Sequence, residues 1–197
     1  MFWGLFASLY DEPGTPPLQA RLPALHARQL LAVLERFSAQ PTRLGDLQGE
    51  YTSTVMFDET YAQRDGIIKR ETQFPSDASE WILSGPHFFV GSTFYKTPRA
   101  VCTGNSHYDV LDLQTLPDDY LPRTNYAPAC DPDTYTARTP RVDWAAEDAQ
   151  NSKKVTDYYR SIYRKMIDPR AERTLTASIL CKNAAHMHGC FAVAFKT

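Results

Sequence analysis

Residues 81–126 read WILSGPHFFVGSTFYKTPRAVCTGNSHYDVLDLQTLPDDYLPRTNY, and this stretch decides the fold class of the chain. Its apolar runs, Ile82-Leu83 and Phe88-Phe89-Val90, are short, and the breaker pair Gly85-Pro86 lies between them. Short apolar runs between glycine and proline are typical of strands joined by a turn, whereas a buried helix needs a longer periodic run. The stretch therefore predicts a strand, a turn and a second strand.

The same stretch carries side chains that suit contacts with DNA. Arginine reads guanine through two parallel hydrogen bonds, asparagine reads adenine, and lysine mainly holds phosphate. The candidates here are Tyr95, Lys96, Arg99, Arg123, Asn125 and Tyr126. A structural interpretation is equally open, in which nearby carboxylates form ion pairs with these lysine and arginine side chains instead of leaving them free for DNA. Those carboxylates are Asp109, Asp112, Asp118 and Asp119.

A second basic region lies towards the end of the chain. Residues 151–173 hold seven Lys/Arg against three Asp/Glu, although the whole chain has a formal net charge of −2. Apolar and aromatic residues recur at helical spacing from Val155 to Ile167, which predicts an amphipathic helix with its cations on another face. Such cations give sequence-independent affinity for phosphates, or they form an ordinary solvated face. The phosphate candidates are Arg160, Arg164, Lys165 and, beyond the helix, Arg173.

The remaining patterns predict a mixed α+β fold of short strands and two main amphipathic helices. Residues 1–80 form an N-terminal helical docking or spacer region, in which one core-packing helix begins near Pro23 and ends before Pro41. In the second region, 81–197, the prolines of 127–150 indicate an extended connector without a helix. The runs 172–180 and 190–195 are expected to pair as a hairpin.

Three runs of the central stretch resemble the C-terminal specificity region of large adenine-specific DNA methyltransferases of bacterial restriction-modification and phage-defence systems. They are SGPHFFVGSTFYKTPRAVC at 84–102, HYDVLDL at 107–113 and LPDDYLPRTNYAPACDP at 116–132. A further match, Glu172-Arg173-Thr174-Leu175 followed by Ala177-Ser178-Ile179, resembles the strand that opens the target-recognition part of those enzymes. Ser92-Thr93 departs from the pattern, which has Asn-Pro there.

The resemblance implies a partial target-recognition domain without chemistry of its own. The family's glycine-rich cofactor loop is missing, and so is its Asn/Asp/Ser-Pro-Pro-aromatic motif, because Pro16-Pro17 stands between Thr15 and Leu18. We therefore expect no catalytic residue and no cofactor in this chain, and S-adenosylmethionine in a partner catalytic domain or subunit. Double-stranded DNA is the other expected partner, and the chain is expected to be a fragment of a larger enzyme.

Two further interpretations follow from residue types. Aromatic residues with arginine also occur at protein–protein interfaces, so a non-enzymatic interaction or scaffold module is the alternative function.

Cysteine and histidine at the end of the chain are zinc-ligand types, but their spacing fits no familiar zinc motif, and no metal site is predicted. They are Cys181, His186, His188 and Cys190. Unrelated cysteine spacings, with no secretory signal and no membrane span, predict a cytoplasmic protein.

Overall fold

The computed structural model of the protein describes residues 3–25, 27–89, 91–145, 153–166 and 175–196. The chain divides into two compact units, Met1–Gln48 and Gly49–Thr197. The helices are α1 (Trp3–Tyr10), α2 (Gln29–Ser38), α3 (Glu59–Arg64) and α4 (Pro132–Arg138). The strands are β1 (Tyr51–Thr54), β2 (Ile68–Lys69), β3 (Ile82–Leu83), β4 (Lys96–Pro98), β5 (Tyr108–Val110), β6 (Ala127–Pro128), β7 (Arg160–Arg164), β8 (Ala177–Leu180), β9 (Ala185–His186) and β10 (Cys190–Phe195).

The smaller unit contains the two helices α1 and α2. The apolar start of the chain forms α1, and Phe6 and Ala7 are buried there. Helix α2 begins at Gln29 rather than near Pro23, and it buries only Leu34. The prediction of a broad core-packing stripe is therefore wrong for this helix within its own unit, since the other members of the stripe are exposed. They are Leu22, Leu30, Val33 and Phe37.

A four-stranded sheet in the order β1-β10-β7-β8 organises the larger unit. All three pairings are antiparallel, and β10 accepts partners on both edges. The predicted hairpin between the two C-terminal runs is wrong, because β8 pairs with β7 and β10 lies on the other side of β7. The unit also includes β1 and α3, so it begins at Gly49 and not at residue 81 as the sequence predicted.

The predicted helix from Val155 to Ile167 is wrong. Val155–Asp157 form one 3₁₀ turn, and residues 160–164 form strand β7, while residue 167 lies outside the described residues. Buried and half-buried positions alternate at the start of this strand, as a pleated strand between two partners requires. Pairing with β10 and β8 supplies the backbone hydrogen bonds that a helix would have made internally.

The core lies around the parallel pair β3 and β9. Ile82 and Leu83 are fully buried, which confirms the first predicted strand. The second strand is not present as predicted: a 3₁₀ turn follows at Gly85–His87, and Phe89 makes only an isolated bridge to Ser92. Val90 lies outside the described residues.

The proline-rich connector contains a helix, contrary to prediction. Pro132 occupies the first turn of α4, where its missing N–H costs nothing, and the Asp131 side chain accepts from the backbone N–H groups of Asp133 and Thr134. Residues 127–128 form β6 and pair with β2, and residues 146–150 lie outside the description. The α+β class is confirmed by the four helices and several small sheets of the residues that the structure describes. No helix of the described residues is long and apolar enough to cross a membrane.

Paired truncations test the strand at 160–164. A helix would place Tyr159 and Ile162 on one apolar face, whereas here Ile162 is 1% exposed and Tyr159 is 64% exposed. Ile162→Ala is expected to lower the free energy of unfolding by about 2–5 kcal/mol, because it leaves a cavity in the core. Tyr159→Ala is expected to change it by about 1 kcal/mol or less. Urea unfolding of both variants measures the difference, and equal losses would contradict the strand.

Candidate nucleic-acid interface

Three segments that are distant in sequence come together around Arg123. The backbones of Gln73 and Thr124 exchange two hydrogen bonds, at 2.8 and 3.1 Å. The Arg123 backbone N–H donates to the Thr97 hydroxyl at 3.2 Å, and the Thr72 hydroxyl donates to the Arg99 carbonyl at 3.0 Å. Segments 72–74, 95–99 and 123–124 are therefore fastened to one another.

These segments carry paired cations and aromatic rings. The Arg123 guanidinium lies 5.7 Å from the ring centre of Phe74, which is 67% exposed. The Lys96 ammonium lies 5.2 Å from the ring centre of Tyr95, which in turn stacks on Phe89. We define the cation–aromatic surface as Phe74, Tyr95, Lys96, Arg99 and Arg123. It contains four of the residues predicted to contact DNA, on segments that the fold holds together.

One cation of this surface has a carboxylate partner. Arg99 Nε donates to Asp109 Oδ1 at 2.8 Å, and both side chains are about half exposed. The antiparallel pairing of β4 with β5 sets Asp109 opposite Thr97, close to Arg99. The structural interpretation of the cations thus applies to Arg99, although an exposed pair of this kind contributes little to stability.

Asn125 and Tyr126 do not lie on the surface, and the expectation that they contact DNA is corrected. They are 2% and 5% exposed. The Asn125 side chain lies near the buried Tyr108 hydroxyl, and burial and the nearby Glu59 carboxylate both raise the pKa of Tyr126. Their residue types suggested that they read bases, but both side chains are buried although they follow Arg123 in the same segment.

Arg160 is also buried, which removes it from the predicted phosphate contacts. Its side chain is 1% exposed, and Nη2 donates to the carbonyl oxygens of Cys181 and Ala184. Burial lowers the pKa of Arg160 to about 10, so the guanidinium still carries its charge at neutral pH. Arg160 is buried because it lies in a central strand, opposite Leu180 of one neighbouring strand and Ala194 of the other.

Arg164 and Lys165 remain accessible at the far end of β7. Arg164 is half-buried with its guanidinium beside Gly85, and Lys165 is exposed while its backbone N–H donates to the Gly189 carbonyl at 2.9 Å. Arg173, the last predicted candidate, lies outside the described residues, and so do Glu172 and Thr174 of the sequence match.

A buried polar network behind the surface was missed by the sequence analysis. The fully buried His87 bonds through Nε2 to the Arg123 carbonyl at 2.9 Å, and its Nδ1 lies 3.2 Å from the Ser84 hydroxyl. Ser84 also bonds to the Tyr108 hydroxyl at 3.0 Å. Burial lowers the pKa of His87, which keeps the ring neutral. The only sequence signal for this network was the Gly-Pro-His turn, which places His87 just after a core strand.

The residues of zinc-ligand type do not form a metal site. Within the described residues, no three His, Cys, Asp or Glu side chains are grouped to hold a metal ion. Burial raises the pKa of Cys190 to about 12, and burial together with the charge of Arg160 lowers the pKa of His186 to about 3. His188 instead accepts from the Glu59 backbone N–H at 3.2 Å. All four cysteines are free thiols.

No family model, curated protein or solved structure matches this chain. The family resemblance therefore depends on the quoted runs of sequence. Any function for the chain has to be argued from its own side chains.

The buried histidines predict a loss of stability in mild acid. The pKa of His186 is about 3 in the folded chain against an ordinary 6.5, so below pH 6.5 the unfolded chain binds the extra proton. The free energy of unfolding is expected to be constant above pH 6.5 from this residue and to fall by up to about 1.4 kcal/mol per pH unit below it. His186→Gln should reduce the slope between pH 6.5 and 4, measured by urea unfolding.

The matched control for this experiment is His107→Gln, because His107 is half-buried on a loop and accepts from the Thr103 backbone N–H. This variant measures what the replacement of a histidine outside the core does to the slope. A slope that is unchanged in His186→Gln would contradict the prediction.

Proposed function

We propose that this chain is a DNA-recognition fragment or subunit of an adenine-specific (N6) DNA methyltransferase of a restriction-modification or phage-defence system. It contributes contacts with double-stranded DNA and no methyl-transfer chemistry. S-adenosylmethionine then belongs to a partner catalytic domain or subunit, and the proposed location of the assembly is the cytoplasm.

The cation–aromatic surface is the observation that carries this proposal. Arg123 and Lys96 each lie against an aromatic ring, and the three segments beneath them are tied by one pair of backbone hydrogen bonds and by two bonds of threonine hydroxyl groups. A guanidinium held in one place suits base or phosphate recognition, because little side-chain freedom is lost when it binds. The quoted runs that resemble the methyltransferase specificity region contain most of this surface, from Tyr95 to Arg123.

Arg164 and Lys165 supply the proposed sequence-independent contacts. Arg164 is the last residue of β7 and Lys165 follows it directly, and we propose that each cation makes its own phosphate contact. Each phosphate that a cation neutralises releases counterions, which makes affinity fall as salt rises.

Removing these two cations tests the proposal. Arg164→Ala combined with Lys165→Ala is expected to weaken binding to every duplex by a similar factor. The slope of log affinity against log salt should become shallower by about 1.8, since each lost contact accounts for about 0.9. Fluorescence anisotropy with two unrelated duplexes over a range of salt measures both quantities.

The control is Lys69→Ala combined with Lys196→Ala, which removes the same formal charge. Both lysines are exposed and pair with carboxylates, of Glu71 and Glu50 respectively. This double variant should leave the salt slope within about 0.5 of the wild-type value. The absence of duplex binding by the unmodified chain at low salt would count against the proposal as a whole.

The alternative function is a protein-interaction module that uses the same surface. Exposed Phe74 beside Arg123 favours it, because aromatic residues and arginine are frequent at the centres of protein interfaces. The two functions differ in their response to charge. A DNA-binding surface gains from the removal of a nearby carboxylate, and this provides a test.

Asp109→Asn is expected to strengthen duplex binding by about twofold to fivefold at low salt, because it releases Arg99 and removes a negative charge close to the phosphates. The free energy of unfolding should change by less than about 1 kcal/mol, since the Arg99–Asp109 pair is exposed. Asp133→Asn, on α4, is the matched control and should leave affinity unchanged. Weaker duplex binding by Asp109→Asn would favour a structural role for the pair.

A further inference from the structure

A pocket of about 340 Å³ lies beside helix α4 in the larger unit. Its volume is within the ~300–1,000 Å³ that is usual for pockets that hold small molecules. Four parts of the chain form its walls: α4, the 3₁₀ turn Ala78–Glu80, the 3₁₀ turn Val155–Asp157 and the loop before β9. We call it the α4 pocket.

Backbone hydrogen bonds hold the walls of the α4 pocket together. The Asn183 N–H donates to the Thr156 carbonyl at 2.7 Å, and the Ala185 N–H donates to the Trp81 carbonyl at 2.7 Å. Asn183 has φ +70°, a left-handed conformation that asparagine adopts more readily than most residues. The pocket is therefore formed by the fold itself, which reduces the entropy that is lost when a ligand binds.

A lysine without a carboxylate partner lines one wall. Lys154 is half-buried, and its ammonium forms no ion pair with any residue that the structure describes. The neighbouring acid, Asp157, accepts instead from the Lys154 backbone N–H at 2.9 Å. Thr156 also lines the pocket and is 7% exposed, and its hydroxyl forms no hydrogen bond within the described residues. An ammonium and a hydroxyl donor side by side suit a carboxylate.

A carboxylate lines the pocket as well. Glu80 accepts from the Ser76 backbone N–H at 2.8 Å, from the Ser76 hydroxyl at 3.0 Å and from Gln73 Nε2 at 3.4 Å. The bonds from Ser76 lower the pKa of Glu80, so this side chain is ionised at neutral pH. A carboxylate offers about four acceptor positions, so about one position stays open. That open position suits an ammonium group.

The two opposite charges select the charge of the ligand. Glu80 and Lys154 line the same pocket but form no ion pair with each other. A purely anionic ligand would be repelled by Glu80, and a purely cationic ligand would be repelled by Lys154. A ligand with one group of each sign satisfies both residues. The ring of Tyr135 and the buried Ala185 add an apolar wall.

We propose that the α4 pocket binds a free α-amino acid with an apolar side chain. The carboxylate of the amino acid bonds to Lys154 and Thr156, its ammonium bonds to Glu80, and its side chain lies against Tyr135. This inference goes beyond the proposed function, because none of these residues belongs to the cation–aromatic surface and amino-acid binding requires no duplex.

L-leucine and L-phenylalanine are the probes, because both are zwitterions with an apolar side chain. Titration into the ¹⁵N-labelled full chain, followed by NMR, is expected to shift the backbone amide signals of Thr156 and Asn183. Each amino acid is compared with analogues that lack one charge, which for leucine are 4-methylpentanoate and 3-methylbutylamine. Each analogue should bind at least about tenfold more weakly, because a charge-assisted hydrogen bond is lost. No shift with either amino acid at about 10 mM, or equal affinity of an amino acid and its analogue, would overturn the proposal.

Two variants assign each charge of the ligand to one residue. Lys154→Met keeps the length of the side chain and should weaken amino-acid binding at least about fivefold, without weakening the amine analogue. Glu80→Gln should weaken amino-acid binding by a similar factor, without weakening the carboxylate analogue. This crossed pattern requires direct contact, since a general loss of structure weakens all ligands alike. Equal weakening of all ligands would therefore refute the assignment.

The control is Lys153→Met, because Lys153 precedes Lys154, is exposed and does not line the pocket. It should leave amino-acid affinity unchanged. If Glu80→Gln does not fold by thermal melting, Lys154→Met still decides, and unchanged amino-acid affinity in that variant rules out the site. Duplex affinity, measured by anisotropy, is a separate quantity that reports on the proposed function.

Discussion

The pairing of β10 on both of its edges is the constraint on which the larger unit depends. Thr52 of β1 lies opposite Ala194, and Ile162 of β7 lies opposite Ala192, so strands from distant parts of the chain meet on one central strand. The small residues at 192–194 are all buried and allow close approach of the core. Because β7 must be extended to make this ladder, residues 160–164 cannot coil into a helix.

Local signals predicted the parts of the fold that local chemistry determines. The strand Ile82–Leu83 was predicted from its residues, and the turn at Asp65-Gly66, where Gly66 has φ +69°, forms at a glycine that adopts this conformation at no steric cost. Residues 155–166 fit a helical period and also a strand period, and only distant partners select between them. Helix α4 was predictable in principle, because Asp131-Pro132 is a capping pair, but the density of prolines concealed it.

The candidate interface was predictable only in part, because residue type indicates the chemistry of a side chain but not its direction. Lys96, Arg99 and Arg123 lie on segments that are held together, which residue types alone did not indicate. Residue type does not reveal which way a side chain points, and Asn125 and Arg160 point inward. For Arg160 the decisive feature is the loop after β8, whose carbonyl oxygens accept hydrogen bonds from Nη2 in place of a carboxylate.

The inward and outward side chains of one short segment are physically linked. His87 holds the Arg123 carbonyl from inside, while the Arg123 guanidinium lies against Phe74 outside. Asn125, two residues on, is buried near Tyr108, whose hydroxyl bonds to Ser84 in the same network. Buried polar groups that satisfy one another rigidify the backbone between them, and a rigid backbone reduces the entropy lost when a ligand binds. The polar core therefore fixes, from inside the unit, the backbone that carries the surface cation Arg123.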